Sequence, residues 1–317
     1  MALEVLSLGD LVADMVVPIE RFPIRPQEHQ MVPDIMLEAG GTGNFLVLAT
    51  RLGLHAKALG VVGEDFYGQQ VCAALRQEGV DLEAVIIPPN SRTTTSIVLV
   101  DSAAEHVFVW MGGTGARQQF DPAWRALIER TDVVFSTGYA LLPDSTFAPS
   151  AVRDCLGIAH ELRKPVFFDL GPAAALIDRA DIEEVIRRTT VLLATSEELA
   201  EWTGGDDPRE NASSLLSHGP SMVVAKLGPQ GCLIVTAQEQ EQIGAFPVTV
   251  RNTAGAGDAF SAACVFGYLQ GYSLREIGLL ANAVGALAVA ELGTGVHLPQ
   301  RHAIARLLAE HGYTFFD

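Results

Sequence analysis

The 317-residue chain is poor in positive charge. It has 21 lysines and arginines against 38 aspartates and glutamates, a formal net charge of −17. Only three of the basic residues are lysines, namely Lys57, Lys164 and Lys226. Because a nucleic acid or an anionic membrane surface requires a basic face, we expect neither as a partner. An anionic ligand would instead depend on a few local donors, chiefly helix N-termini and glycine-rich loops.

The sequence also lacks the patterns of disulfide-bonded, zinc-binding and membrane proteins. Its four cysteines form no C-x-x-C pair and lie in apolar surroundings, which is typical of free thiols in a reducing compartment. Its eight histidines show no metal-ligand spacing. The longest apolar run, 278–290, is shorter than the ~20 residues needed to cross a bilayer. Since the first residues show no signal-peptide pattern either, we expect a cytoplasmic protein.

Hydrophobic residues make up 49% of the chain, which is enough for a large packed core. Between 133 and 226, short apolar strands alternate with helical segments. This alternation predicts βαβ units and a mostly parallel sheet covered by helices on both faces, an α/β/α sandwich of three layers. The last third is predicted to be mainly helical, over 256–269, 274–290 and 303–310.

Two early segments depart from this alternation, about 12–38 and 90–112. Prolines interrupt the first, and the second contains two β-branched runs joined by a polar turn. Together they predict a small β-sheet lid on a single domain that spans 1–317. Short strands are also predicted at 85–87 and 246–250, from their apolar and β-branched residues.

The strongest local signal is the segment Asn252-Thr253-Ala254-Gly255-Ala256-Gly257-Asp258, a turn of small residues that leads into a long apolar helix. Such a turn lets a phosphate approach the free N–H groups at the helix start. Asp258 could then act as a base for a hydroxyl group, although a glycine-rich turn followed by a favourable first-turn acid explains the same residues. The helix N-terminus should lower the pKa of Asp258, which phosphoryl transfer tolerates because its proton transfer can come late.

Three further segments precede predicted helices or follow predicted strands. In Gly40-Gly41-Thr42-Gly43-Asn44, the Asn44 amide could donate to a ligand hydroxyl, or Asn44 or Thr42 could simply cap the helix. Lys226-Leu227-Gly228-Pro229-Gln230-Gly231 lies where open α/β sheets bind ligands, or it is only a tight turn. In Thr195-Ser196-Glu197-Glu198, Glu198 could orient a metal-bound water, and a capping box explains the segment equally well.

Several enzyme classes are disfavoured by motifs that the sequence does not contain. It has no G-x-x-x-x-G-K-[ST] loop and no G-x-G-x-x-G after its first strand, which argues against a P-loop enzyme and a dinucleotide site. The H-R-D and D-F-G motifs of protein kinases and the serine nucleophile elbow are also missing.

In their order along the chain, the motifs resemble those of the ribokinase-like (PfkB) carbohydrate kinase family, over essentially the whole chain. Asn252–Asp258 is similar to the family's D-T-x-G-A-G-D signature, and Gly40–Asn44 is similar to its G-G-x-x-x-N element. Gly60–Gly68 matches its G-x-V-G-x-D-x-x-G segment. The resemblance implies a ribokinase-like fold and a lid that closes over the substrate and pairs two subunits into a homodimer.

The resemblance also implies a role for each matching residue. Asp258 would receive the proton of the substrate hydroxyl, and the transferred phosphoryl group would be bound by the backbone amides of Gly255, Ala256 and Gly257. Substrate hydroxyls would be bound by Asp14, Gly40, Gly41 and Asn44. The nucleotide would be bound by Thr195, Glu198, Lys226, Gly228, Gly231 and Asn282. Glu198 would act on magnesium through water, which makes Mg²⁺ with ATP the expected cofactor.

The chain departs from the family pattern at several positions. Asn252 replaces the first aspartate of the signature and His297 a small hydroxyl residue, which argues against the monovalent cation that the family allows. Thr195 replaces an asparagine of the magnesium motif. Val12 and Tyr139 stand where ribokinases have polar contacts to ribose, which argues against ribose.

We therefore expect an ATP-dependent kinase that transfers the γ-phosphoryl group to a hydroxymethyl group of a sugar or sugar derivative. A nucleoside kinase of the same fold is the first alternative, because the changes at Val12 and Tyr139 could make room for an aglycone. A sugar- or nucleoside-binding regulator without turnover is the second, motivated by Asn252 and Thr195, although such a regulator would not need Asp258.

Overall fold

A computed structural model describes residues 2–172 and 174–317. The strands of these residues are β1 (Glu4–Leu8), β2 (Leu11–Pro18), β3 (Met36–Gly41), β4 (His55–Leu59), β5 (Thr94–Val100), β6 (His106–Met111), β7 (Val133–Thr137), β8 (Val166–Asp169), β9 (Val191–Thr195), β10 (Met222–Lys226), β11 (Cys232–Thr236) and β12 (Gln240–Ile243). The helices are α1 (Thr42–Arg51), α2 (Phe66–Gln77), α3 (Ala123–Arg130), α4 (Pro149–Glu161), α5 (Arg179–Ile186), α6 (Ser196–Thr203), α7 (Pro208–Leu216), α8 (Ala256–Leu269), α9 (Leu274–Ala290) and α10 (Arg301–Glu310).

Eight of these strands form a central sheet in the order β12-β11-β10-β9-β8-β7-β1-β4. Its pairs are parallel except β10–β11 and β11–β12. Alternate strand residues face opposite sides, as the two residues Phe167 and Phe168 of β8 illustrate. Phe167 packs into a core with α1, α2, α8, α9 and α10, and Phe168 into a core with α3 to α7. The three-layer α/β/α sandwich with a mostly parallel central sheet is confirmed.

The other four strands form a small sheet in the order β3-β2-β5-β6. Its β2–β5 pair is parallel and its two outer pairs are antiparallel. Val16, Val98 and Val100 of this sheet pack against Ala254, in the turn that leads into α8. The small sheet therefore lies against the glycine-rich turn predicted to bind phosphate.

Outside residues 133–226, where strands and helices alternate, some of the predicted strands and helices are correct and others are wrong. Both strands predicted in 90–112 are confirmed as β5 and β6, and α8 and α9 have the predicted bounds. The strand predicted at 85–87 is wrong, because Ile86 makes only one bridge, to Val61. The strand predicted at 246–250 is also wrong, since Pro247 has no N–H to donate. The polar strand β12 was not predicted. The lid and the single domain stay predictions.

No single helix of residues 2–172 and 174–317 is long and apolar enough to cross a membrane. The segments Leu274–Ala290 and Gly295–Glu310 meet the length and composition criteria only as a pair, and that pair is bent by 117°.

Candidate active site

The substrate-side residues predicted from the sequence meet where β2 and β3 run side by side. Asp14 lies in β2 and is buried, and Gly40 lies in the adjacent β3. A β-carbon on Gly40 would lie only 1.9 Å from Asp14 Oδ2, so a side chain there would displace the carboxylate. Asp14 Oδ2 also accepts a long hydrogen bond from Thr294 Oγ1, at 3.5 Å. These contacts hold the Asp14 carboxylate at the start of α1.

Asn44 joins this group to the predicted catalytic residue. Its Nδ2 donates to Asp258 Oδ2 at 3.1 Å, and its Oδ1 accepts from the Gly295 N–H at 2.8 Å. The residue before α1 is Gly41, and it caps the helix with no side-chain hydrogen bond. Thr42 Oγ1 donates to the Asp10 carbonyl instead. The alternative that Asn44 or Thr42 is a helix cap is therefore wrong, and the Asn44 side chain faces Asp258.

The predicted phosphate-binding turn has the backbone that this role needs. Gly255 precedes α8 with a φ of 74°, in the left-handed region that favours glycine. A β-carbon there would also lie 3.1 Å from Asn44 Cγ. Gly257 lies in the first turn of α8, so no preceding helical turn supplies an acceptor for its N–H, whereas the Ala256 N–H makes a long hydrogen bond of 3.4 Å to the Thr253 carbonyl. Asp258 follows in the same first turn, beside these amides.

The ionisation of Asp258 differs from the sequence prediction. Burial, followed by the nearby Asp169 carboxylate, raises its pKa to about 7, although the Asn44 hydrogen bond and Lys226 oppose the shift. The predicted lowering of this pKa by the helix N-terminus is therefore wrong, because the loss of water around the carboxylate outweighs it. Burial and the charge of Asp258 likewise raise the pKa of Asp14 to about 7. A carboxyl with a pKa near neutrality is a stronger base than an exposed aspartate.

The first residue of the turn, Asn252, connects two loops. It is fully buried, its Nδ2 donates to the Gly293 carbonyl at 2.9 Å, and its Oδ1 accepts from the Ala254 N–H at 3.1 Å. The amide thus bridges the phosphate-binding turn and the loop that follows α9. Thr253 Oγ1 adds a contact of 3.0 Å to Nδ1 of His106, at the start of β6.

Some of the predicted nucleotide residues lie at the adjacent carboxyl ends of β9 and β10. Thr195 and Glu198 form a capping box at the start of α6, as the structural alternative predicted. Lys226 pairs in register with Thr195 and reaches over β9 to β8, where its Nζ contacts Asp169 Oδ2 at 2.6 Å. Burial opposes the charge of Lys226, but Asp169 and Glu198 together raise its pKa. Burial and the Asp169 charge raise the pKa of Glu198.

The remaining predicted nucleotide residues lie further along the sheet. A β-carbon on Gly228 would meet nothing within 4 Å, so the space above it is open. A β-carbon on Gly231 would lie 2.0 Å from the Ile243 carbonyl oxygen. Asn282 Nδ2 donates to the carbonyls of Ile243 and Gly244. Gly231 and Asn282 therefore flank the same segment after β12, and their contact with a nucleotide stays a prediction.

Asp169 is the site residue that the sequence analysis missed. It ends β8, and its Oδ2 accepts from Lys226 Nζ and, at 2.7 Å, from Ser261 Oγ of α8. The sequence feature that could have identified Asp169 is its position at the end of a predicted strand, because α/β proteins bind ligands at that edge of the sheet. Tyr139 also lies near the carboxylates of the site, because loss of water around its hydroxyl, together with the charges of Asp258 and Glu198, raises its pKa although the residue as a whole is 45% exposed.

The carboxylates fit magnesium only in a limited way. The described residues contain no group of three or more histidine, cysteine, aspartate or glutamate side chains placed to hold a metal ion. Glu198 Oε2 is already occupied by the Thr195 N–H. This donor set fits a magnesium ion that arrives with its phosphates and keeps most of its water, rather than one in a protein cage.

The comparisons with known proteins identify the family and the fold. The family model described as pfkB family carbohydrate kinase matches residues 2–301. A nucleoside kinase of Methanothermobacter thermautotrophicus is 27% identical, over 98% of this chain and 97% of its own. A 2-dehydro-3-deoxygluconokinase of Thermoproteus tenax is 30% identical, over 85% of each chain. The structure of Arabidopsis thaliana ribokinase complexed with ribose and ATP superposes with a TM-score of 0.83 at 23% identity, over 97% of this chain and 99% of that one. The chain belongs to the pfkB family of carbohydrate kinases, which are phosphotransferases with alcohol acceptors.

Proposed function

We propose that the protein transfers the γ-phosphoryl group of ATP to a hydroxymethyl group of a neutral sugar, with Asp258 as the base. The observation that carries this proposal is the hydrogen bond from Asn44 to Asp258 beside the first turn of α8. It brings a hydroxyl-binding amide, a carboxylate with a raised pKa and the backbone N–H groups of a helix start to one place. Phosphoryl transfer requires this combination of an oriented hydroxyl and anion-binding donors.

Each side of the site then has a defined task. Asp14 and Asn44, with the backbone of Gly40 and Gly41, bind the acceptor and orient its hydroxymethyl group towards Asp258. The amides of Gly255, Ala256 and Gly257 bind the phosphoryl group as it moves. The small sheet, which packs on Ala254, acts as the lid that keeps bulk water away and so prevents hydrolysis of the donor.

The nucleotide extends from this turn across the ends of β9 to β11. Thr195, Gly228, Gly231 and Asn282 line that path, and the open space above Gly228 supports it. Glu198 would hold the magnesium ion of the nucleotide through water. When bound, the ion neutralises charge on the phosphates. ATP and the four buried free thiols also support a cytoplasmic location.

The charge of the site supports a neutral acceptor. Asp14, Asp169 and Asp258 are three carboxylates of one site, and the lysine closest to them, Lys226, is already paired with Asp169. A sugar acid would bring a further negative charge next to these three carboxylates.

A nucleoside is the second candidate, since Tyr139 is 45% exposed beside the site and presents an aromatic ring on which a base could stack.

We also propose that two copies of the chain associate through β6. This strand ends the small sheet, and Val107, Phe108, Val109, Trp110 and Met111 are each between 44% and 55% exposed. An exposed apolar edge strand is a liability in a protein that acts alone, and a second copy of the same strand would cover it.

The first test is ADP release from Mg-ATP over a panel of sugars, sugar acids, inositols and nucleosides. We expect activity with one class of neutral acceptor, and Asp258→Asn should reduce kcat by about 10³-fold because the base is lost. Glu276→Gln is the matched control, because Glu276 is the third residue of α9 as Asp258 is of α8. Wild-type protein that binds a panel member without turnover would contradict the kinase and favour a regulator.

The second test is the pH dependence of kcat/KM. Because the base must be ionised and the pKa of Asp258 is about 7, kcat/KM should fall as pH drops below about 7. Asn44→Ala should move this fall to higher pH, since Asn44 stabilises the ionised carboxylate. Protein kept at low pH and assayed again at neutral pH serves as the stability control. A profile that is flat down to the pKa of an exposed aspartate would contradict the raised value.

The third test concerns the monovalent cation. We expect equal rates in potassium, sodium and tetramethylammonium salts at one ionic strength, because Asn252 Nδ2 already bridges to the Gly293 carbonyl. Asn252→Asp removes that donor and should lower the rate, with a larger loss in tetramethylammonium than in potassium. If the wild-type enzyme required potassium, the Asn252 amide would not take the place of the monovalent cation, and the expectation would be contradicted.

The fourth test measures the molar mass in solution by sedimentation equilibrium. The wild type should be a dimer, and Val109→Lys should be a monomer because it places a charge in the middle of the covered strand. Phe66→Lys changes an exposed apolar residue of α2 and should leave the dimer intact. A monomeric wild type, or a dimer that survives Val109→Lys, would contradict association through β6.

A further inference from the structure

We infer that Lys226 is a catalytic residue that stabilises the phosphoryl group during its transfer, and that Asp169 is the positioning residue that holds Lys226. The inference rests on the proposed phosphoryl transfer. It places Lys226 at the reacting group, whereas the resemblance implied only that Lys226 binds the nucleotide.

The first observation is where the ammonium group lies. A β-carbon on Gly257 would be 3.6 Å from Lys226 Nζ. Gly257 is the second residue of α8, and its N–H belongs to the proposed phosphate-binding set. The ammonium is therefore beside the first turn of α8, next to the residue that precedes Asp258. A lysine at the far end of the nucleotide would not contact this turn.

The second observation is how the lysine is held. Lys226 ends β10 and Asp169 ends β8, with β9 between them, so the side chain crosses the carboxyl edge of the sheet to reach its partner. The two side chains are 13% and 7% exposed. Ser261 of α8 donates to the same Asp169 oxygen at 2.7 Å. Ser261 of α8 thus holds the Asp169 carboxylate in place, and this carboxylate holds the Lys226 ammonium group.

The third observation is that the pair is incompletely satisfied. An ammonium group has three donors, and one of them reaches Asp169. Asp169 Oδ1 is buried without a hydrogen-bond partner among the described residues. Leaving a buried acceptor unpaired costs free energy, so a purely structural ion pair would be expected to satisfy it. The remaining donors of the ammonium are instead available to a group that binds beside α8.

The chemistry gives the ammonium a specific task. The oxygen of the acceptor hydroxymethyl forms a bond to the γ-phosphorus while the bond from that phosphorus to the β–γ bridging oxygen breaks. The hydroxyl proton passes to Asp258, and ADP leaves with the electron pair of the broken bond. During this step negative charge is spread over the three outer oxygens of the phosphoryl group. A fixed ammonium beside the amides of α8 stabilises that charge more than it stabilises bound ATP.

The test compares Lys226→Met, Lys226→Arg, Asp169→Asn and the double variant Asp169→Asn/Lys226→Met with the best acceptor of the panel. Lys226→Met should lower kcat by about 10²- to 10³-fold and change the KM for ATP little. Lys226→Arg should restore part of the loss. Asp169→Asn should lower kcat in the wild type and have no further effect in the Lys226→Met background, because it acts through Lys226.

Binding supplies a readout independent of turnover. With acceptor present, Lys226→Met should weaken binding of MgADP with aluminium fluoride, a mimic of the transferred group, and should leave MgADP alone unchanged. Lys57→Met is the matched control, because Lys57 is also a buried strand lysine paired with carboxylates, Glu4 and Asp81. If Lys226→Met does not fold, the double variant gives the comparison, since it leaves no unpaired charge in the core.

Three results would overturn the inference. One is a Lys226→Met enzyme with unchanged kcat. Another is a raised KM for ATP together with weaker MgADP binding, which would return Lys226 to ground-state nucleotide binding. The last is additive loss in the double variant, which would give Asp169 a separate role. Wild-type protein that phosphorylates no panel member would overturn the proposed function as well, whereas the other results leave it standing.

Discussion

The hydrogen bond between Asn44 and Asp258 joins residues 214 positions apart, and the site depends on it. Asn44 uses both ends of its amide, one on Asp258 and the other on the Gly295 N–H. Because a buried amide pairs both its donor and its acceptor, these two bonds hold α1 against α8 and against the loop after α9. The close approach of Gly255 to Asn44 follows from that arrangement. One side chain therefore links α1, the start of α8 and the loop after α9.

The distribution of charge around this contact determines the chemistry. Burial and the neighbouring Asp169 carboxylate raise the pKa of Asp258 above what its place at a helix start would suggest. The same carboxylates would repel phosphates if nothing opposed them. Lys226 opposes their charge, and its ammonium lies beside Gly257 in the first turn of α8. In a chain with three lysines, the positive charge at this edge of the sheet comes from one residue at the end of β10 and not from a general basic surface.

Features set by local sequence were predictable, and features set by contacts across the sheet were not. Helix α9 has its predicted bounds because Ser273 and Glu276 form a capping box before an apolar run. The sequence alone could not show whether Asn44 caps α1 or binds a ligand, since the hydrogen-bond partners of its side chain lie on other elements. The pKa of Asp258 was predicted in the wrong direction because burial is a property of the folded chain. Asp169 gains its significance only when β8 and β10 flank β9.

The small sheet contacts the phosphate-binding turn directly, and this limits how the two can move. Val16 and Val98 pack on Ala254, and His106 contacts Thr253 in the same turn. Two residues before Ala254, Asn252 fixes the turn to the Gly293 carbonyl. If the small sheet lifted, Ala254 would become exposed while Asn252 held the turn in place. Exposure of these apolar contacts to water opposes such a movement, so the hydrophobic contact between the small sheet and Ala254 also supports the glycine-rich turn.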